Sequence, residues 1–115
     1  MTTQKAIWLS YDFGLKGDFT GLFTWLDNKK ALECGTGVAF FRYETTLENW
    51  GQIADEISKE INEYVKLSKS DRLYIVVKDY KTNLIKGKFI NGARKQAPWE
   101  GFGKIQNADE SDSGS

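Results

Sequence analysis

The sequence alternates between two hydrophobic periods, and this alternation limits the folds that the chain can adopt. Apolar residues recur at helical spacing in two stretches, from about Phe19 to Lys30 and from the turn after Thr45 to about Leu67. Because two amphipathic helices need a sheet on which to bury their apolar stripes, the order of elements predicts an α+β fold. Runs typical of strands precede, separate and follow the helices, at 5–13, 31–34, 38–44, 72–80 and 84–90.

The predicted order β-α-β-β-α-β matches the split β-α-β plan. We therefore predict a ferredoxin-like sandwich with an additional C-terminal strand, in which the first four strands of an antiparallel sheet follow the spatial order 4-1-3-2. One face of this sheet has no helix, and Trp8 on a central strand has the phase to point towards it. Since a large exposed apolar surface usually marks a partner, dimerisation through the sheet is a hypothesis.

Local signals predict where the helices begin and which faces they bury. Asp18 is a suitable N-cap for the first helix, and Thr45 followed by Glu48 matches a capping box at the start of the second. Trp25 lies off the predicted buried stripe of the first helix, which consists of Phe19, Leu22, Phe23 and Leu26. The polar face of the second helix is predicted to be a solvated surface, and it carries Asp55, Glu56, Lys59, Glu60 and Glu63.

Composition excludes several kinds of chemistry. The chain has no histidine and a single cysteine, Cys34, which removes Ser–His and Cys–His nucleophile pairs, imidazole metal sites and an intramolecular disulfide. Any catalysis must then rest on carboxylates, lysine, tyrosine or a metal held by oxygen ligands. No stretch resembles a signal peptide or is long enough to span a bilayer, so we expect a cytoplasmic protein without a membrane partner.

The chain length of 115 residues suits a single domain. We predict that this domain covers 1–104 and ends in an aromatic and basic arm after the last strand. The final residues, 105–115, are acidic and poor in apolar side chains, which predicts a disordered tail.

Asp12, at the end of the first strand, is the candidate catalytic residue. A carboxylate in an apolar run is costly unless it is exposed, paired or ligating an ion. One interpretation is an exposed strand end that accepts hydrogen bonds from the amides of the following Gly-Leu-Lys-Gly loop. The other is a ligand of Mg²⁺, which prefers carboxylate oxygens, with the site completed by a second Asp12 across a dimer.

The loop that follows Asp12 is a candidate phosphate site. Gly14, Lys16 and Gly17 stand just before a helix, where free amides, a cation and the positive end of the helix dipole meet. Asp18 would compete there as the anion, and a turn with no ligand is the alternative.

Positive charge is concentrated between Lys78 and Lys104, although the net charge of the whole chain is +0. Between Lys78 and Lys104 basic residues far outnumber acidic ones, and aromatic residues stand among them. Cations mixed with aromatic rings suit single-stranded nucleic acid. The alternative is a solvated edge strand that lysines protect from aggregation, with Trp99 folded back onto the core. The candidate nucleic-acid-binding residues are Lys86, Lys88, Arg94, Lys95, Trp99 and Lys104.

The Ser-Tyr-Asp-Phe-Gly segment, 10–14, the two helices and the extra terminal strand together resemble a known group. The chain resembles the small CRISPR-associated ferredoxin-like nucleases and the related VapD-type ribonucleases over the order of elements from about 5 to 90. The resemblance implies dimerisation through the sheets, a mobile-element or defence setting, and a strand-end aspartate, Asp12 here, that holds a catalytic divalent metal.

Two functions remain open at this level. The first is a small protein that binds RNA or single-stranded DNA, with Mg²⁺-dependent endoribonuclease activity if it is an enzyme. The second is a non-catalytic protein-interaction module, of the antitoxin or inhibitor kind, that acts through its open sheet face.

Overall fold

The computed structural model describes residues 2–103, so Lys104 and the predicted tail at 105–115 lie outside the described residues. It contains two helices and five strands. In chain order they are β1 (Thr3–Asp12), α1 (Phe19–Asn28), β2 (Leu32–Glu33), β3 (Val38–Thr45), α2 (Trp50–Tyr64), β4 (Arg72–Asp79) and β5 (Leu84–Asn91).

All five strands form one antiparallel sheet in the order β2-β3-β1-β4-β5. The α+β class predicted from the sequence, with a five-stranded antiparallel sheet and two helices, is confirmed. β1 lies at the centre, where Trp8 is opposite Phe40 of β3 and Val76 of β4. No helix within residues 2–103 is long and apolar enough to cross a membrane.

The helices cover one face of the sheet, and the core lies between them. Strand residues alternate between the two faces, so Ile7 and Leu9 of β1 are fully buried while their neighbours on β1 are not. Together with the helices they form one cluster of buried side chains, which includes Leu22, Phe41, Ile53, Ile57, Leu73 and Ile75.

The buried face of α1 differs from the prediction. Asp18 is the N-cap, as predicted, and its carboxylate accepts from the amide of Gly21 at 2.9 Å. Trp25, however, is 1% exposed, whereas Phe23 is 49% exposed. The helix is rotated so that Leu22, Trp25 and Leu26 face the core. Both possible stripes have helical spacing, and the large indole ring is the one that fills the space above β3.

The start of α2 also differs from the prediction. The N-cap is Asn49, whose side chain accepts from the amide of Gln52 at 3.0 Å. Thr45 stays in β3, and its hydroxyl accepts from the amide of Leu47 at 3.0 Å. Strand pairing with β1 holds Thr45 extended, so Thr45 does not cap a helix, and α2 begins only at Trp50.

The helix α2 ends at Tyr64 and not near Leu67. Val65 is extended, with φ −123 and ψ 129. The next amide, that of Lys66, donates to the Asp18 carboxylate at 2.9 Å. Because the Asp18 carboxylate accepts hydrogen bonds from an amide of α1 and from an amide just after α2, it joins the start of α1 to the end of α2.

The polar face of α2, predicted to be solvated, contributes two carboxylates to a partly buried cluster. The hydroxyl of Tyr43 lies 2.5 Å from an oxygen of Glu56 and 3.3 Å from an oxygen of Glu60. Glu60 also accepts from the indole N–H of Trp25 at 3.1 Å and pairs with Lys29. Burial, followed by the bond to Glu56, raises the pKa of Tyr43. These two carboxylates join α1, α2 and β3.

Candidate nucleic-acid interface

The face of the sheet opposite the helices, which we call the open face, carries most of the candidate site. Strand alternation and register place side chains from β1, β3, β4 and β5 there. Trp8 is 39% exposed, although a large apolar side chain is normally buried in a sheet of this size. The aromatic residues of the open face are Trp8, Phe40, Tyr74 and Phe89.

These four rings form two pairs. Trp8 and Phe40 lie on neighbouring central strands, with ring centroids 4.9 Å apart. Tyr74 of β4 and Phe89 of β5 have centroids 4.8 Å apart. Both separations are typical of packed aromatic side chains. The pairs therefore form two stacking surfaces on one face.

An arginine accompanies each aromatic pair. The guanidinium carbon of Arg42 lies 5.5 Å from the centroid of the Phe40 ring. That of Arg94 lies 5.7 Å from the Tyr74 centroid and 5.4 Å from the Phe89 centroid. All three distances are within the range of cation–π contacts. Each stacking surface is thus next to a fixed positive charge.

A groove lies beside the second pair, and we call it the Asp12 groove. Its volume is ≈ 280 Å³. A Cβ atom on Gly87 of β5 would lie 2.6 Å from the hydroxyl oxygen of Tyr74, so only glycine lets this ring lie flat against the strand. The groove is lined by Ser10, Asp12, Arg72, Tyr74, Phe89 and Arg94.

Asp12 is exposed at the end of β1, which agrees with one of the two interpretations of the sequence. Its hydrogen-bond partner, however, is an arginine side chain and not an amide of the glycine loop. The guanidinium of Arg72, opposite it in β4, donates to Oδ2 from Nε at 3.2 Å and from Nη2 at 2.5 Å. The hydrogen bond from Arg72 is the largest cause that lowers the pKa of Asp12, and the charge of Lys95 adds to it. Asp12 is therefore an ionised carboxylate at neutral pH.

The carboxylate that binds the glycine loop is Asp71, which the sequence analysis did not single out. Asp71 is 1% exposed. It accepts from the amide of Gly14 at 3.2 Å and from the amide of Ser68 at 2.9 Å. The expectation that Asp12 binds these amides is therefore wrong. The Ser68-Lys-Ser-Asp71 sequence, typical of a side-chain turn, is the signal that could have identified it.

The glycine loop has few free amides left for a phosphate. The amide of Gly14 is bound to Asp71, and that of Gly17 donates to the carbonyl of Gly14 at 2.9 Å. Asp18 places a second carboxylate beside the loop, and amides from Lys66 and Gly21 lower its pKa. Lys16 is exposed. The turn is thus held by groups of the chain itself, which favours the interpretation without a ligand.

The basic segment does not form one surface. Lys86 and Lys88 of β5 are opposite the buried residues Val77 and Ile75, so they lie on the helix side of the sheet. Lys88 donates to Asp55 of α2 at 3.0 Å. Among the candidate nucleic-acid-binding residues that the structure describes, Arg94 alone lines the Asp12 groove.

Two other candidate residues of the arm, Lys95 and Trp99, are exposed. Trp99 is 72% exposed and does not fold back onto the core, which was the alternative prediction. Lys95 is exposed and close enough to Asp12 to lower the pKa of that carboxyl group. Lys104 lies outside the described residues. The sequence predicted an open face with Trp8 on it, but it did not single out Phe40 and Arg42, which lie beside Trp8 on β3.

The groups around Asp12 do not fit a magnesium ion. Within residues 2–103, no three Cys, Asp or Glu side chains come close enough to hold a metal. Arg72 already neutralises Asp12, and Arg94 lines the same groove. Mg²⁺ needs oxygen ligands, and these cations would repel it. The side chains that one chain places around Asp12 are therefore better suited to an anionic ligand than to a metal cation.

Comparison with known proteins adds no relative. No family model matches the chain, and neither a curated protein nor a solved structure does.

Proposed function

We propose that the protein binds single-stranded nucleic acid, RNA or single-stranded DNA, across the open face of its sheet. The observation that carries the proposal is the pairing of two aromatic surfaces with two arginines, Arg42 and Arg94. Aromatic rings stack on unpaired bases, and arginines neutralise the phosphates between them. A double helix buries its bases, so this surface suits a single strand.

The geometry suggests a path for the strand. At one end is the Asp12 groove, beside Tyr74 and Phe89. At the other is a groove of ≈ 670 Å³ along the part of β3 that β2 leaves unpaired, where Lys30, Phe40 and Arg42 are among the lining residues. Phe40 therefore belongs to the second groove, and Trp8, which packs against it, lies on β1 towards the first groove.

We also propose a ferredoxin-like fold, together with the kinship, the setting and the location that the sequence predicts. The order β4-β1-β3-β2 within the sheet supports a ferredoxin-like fold. Kinship with the CRISPR-associated and VapD-type proteins, a defence setting and a cytoplasmic location rest on the resemblance and the composition alone. Metal-dependent ribonuclease activity is not part of the proposal, because the surroundings of Asp12 suit an anion better than Mg²⁺.

A protein partner, or a second copy of the chain, is the alternative occupant of the open face. The exposure of Trp8, together with that of Ile85 on the edge strand β5, favours it. A homodimer formed through this face would bury the aromatic pairs. Light scattering with and without RNA distinguishes the two, because RNA that needs the open face would dissociate such a dimer.

The test is a binding titration with a fluorescent single-stranded RNA at increasing salt. The double variant Arg94→Glu/Lys95→Glu should abolish retention of the RNA. The control Lys59→Glu/Lys86→Glu makes the same charge change on the helix side and should bind as the wild type does. The affinity of the wild type should fall with salt, with a logarithmic slope of about −0.7 for each phosphate contact. Unchanged retention by the first variant, or affinity independent of salt, would favour a protein partner.

A further inference from the structure

We infer that the Asp12 groove selects a guanine base of the bound strand. This inference rests on the proposed function, because it specifies which base occupies one of the two stacking surfaces. It depends on three features of the groove: its size, its aromatic wall and the hydrogen-bonding edge formed by Asp12 and Arg72.

The size of the groove and its aromatic wall suit one flat base. The volume of ≈ 280 Å³ is near the lower end of ligand pockets, roughly 300 Å³. Tyr74 and Phe89 form the wall, and Arg94 lies over their rings in the free protein. A base that stacks there displaces the Arg94 guanidinium, which can then reach the phosphate next to that base.

The edge of the groove presents hydrogen-bond acceptors beside donors. Both bonds from Arg72 reach Oδ2 of Asp12, so Oδ1 has no hydrogen bond within residues 2–103. An ionised carboxylate accepts only. Nη1 of Arg72 makes no hydrogen bond in that part of the chain either and can donate.

Guanine is the base that matches this edge. Its N1–H and N2–H₂ groups are two adjacent donors that can both reach Oδ1 of Asp12, and its O6 can accept from Nη1 of Arg72. Adenine and cytosine each present one amino donor beside a ring-nitrogen acceptor, and uracil presents one N–H between two carbonyl groups. Each of these bases can give one donor to Oδ1 of Asp12 and one acceptor to Arg72, so each makes one hydrogen bond fewer with the carboxylate than guanine does.

The experiment uses short oligouridine strands that contain a single central G, A or C, which excludes base pairing and G-quadruplexes. Their affinities for the wild type, Asp12→Asn and Asp27→Asn are measured by fluorescence anisotropy. The exposed Asp27 on α1 is the matched control, because it loses the same charge away from the open face. The wild type and the control should prefer the G strand by about tenfold.

The variant Asp12→Asn should lose this preference and gain affinity for the A strand relative to G, because asparagine pairs with adenine through one donor and one acceptor. If the wild type binds all strands equally, the guanine inference is wrong while the proposed function stands. If Asp12→Asn keeps the preference for G, the selecting group lies elsewhere and the inference is again wrong. If no strand binds, the proposed function itself fails.

Discussion

The two faces of the sheet are built from the same strands and differ in almost every other respect. On the face that the helices cover, Ile75 of β4 is fully buried among branched apolar side chains. On the open face its neighbour Tyr74 is only partly buried and contacts Phe89 and Arg94. One face has the composition of a core, and the other keeps aromatic and cationic side chains partly in contact with solvent.

Under the proposed function, this difference separates residues that stabilise the fold from residues that bind the ligand along each strand. A residue on the helix-covered face contributes by removing apolar area from water and by leaving no cavity. A residue on the open face keeps part of its surface in water, so its loss costs less folding energy and more binding energy. Substitutions of adjacent residues therefore test the comparison directly.

The largest effect is expected on the helix-covered face. Ile75→Ala removes a fully buried side chain and should lower the free energy of unfolding by about 2–5 kcal/mol, because a cavity remains between the sheet and the helices. Urea denaturation followed by circular dichroism measures it. The control Val76→Ala, the next residue on the open face, should cost clearly less. Equal losses would mean that the open face is also a buried core.

The polar cluster of the helix-covered face should come next. Tyr43→Phe leaves the carboxylates of Glu56 and Glu60 without the hydroxyl donor and should cost about 1.5–3 kcal/mol. The pKa of Tyr43 is raised in the folded state, so the contribution of the hydroxyl is complete below the pKa of a free tyrosine and falls as the pH rises above it. Wild type and variant should therefore converge in strong base. A constant gap in urea denaturation would contradict the cluster.

On the open face the effect should be on binding. Trp8→Ala removes one stacking surface and should weaken binding of single-stranded RNA by about 1–3 kcal/mol. Fluorescence anisotropy measures this loss, and thermal denaturation should record a smaller change in stability. The control Phe23→Ala removes an exposed aromatic ring on α1 and should leave RNA binding unchanged. If both variants bind equally, the open face is not the interface.

The smallest effect is expected at Asp12. Asp12→Asn should change the free energy of unfolding by less than about 1 kcal/mol, because the pair with Arg72 is exposed to solvent. The pKa of Asp12 is lowered in the folded state, so this contribution is present above the usual pKa of aspartate and is lost as the pH falls below it. Urea denaturation at neutral and acid pH measures the difference.

The same variant tests catalysis. Neither the wild type nor Asp12→Asn should cleave RNA with Mg²⁺ or Mn²⁺, because one carboxylate paired with an arginine is a poor ligand set. Gel electrophoresis of labelled RNA after incubation is the assay. Cleavage by the wild type that Asp12→Asn loses would restore the metal-dependent nuclease as the function.

The sequence by itself determined the class of the fold and much of its local detail. Periodicity is a local property, so the two helices, the strand runs and the N-cap Asp18 could be read from neighbouring residues. The alternation in β1 also predicted that Trp8 points to the open face, and Ile7 and Leu9 on either side of it are buried on the opposite face.

Only the tertiary structure decided which distant residues meet. Asp12 pairs with Arg72, sixty positions further along the chain, because β1 and β4 pair in one particular register. The register of β4 with β5 likewise turns Lys88 towards α2. Trp25 faces inward because of how α1 packs on β3, where its ring meets Phe41. Register and helix rotation are set by the packing of the whole core, and no local stretch of sequence contains that information.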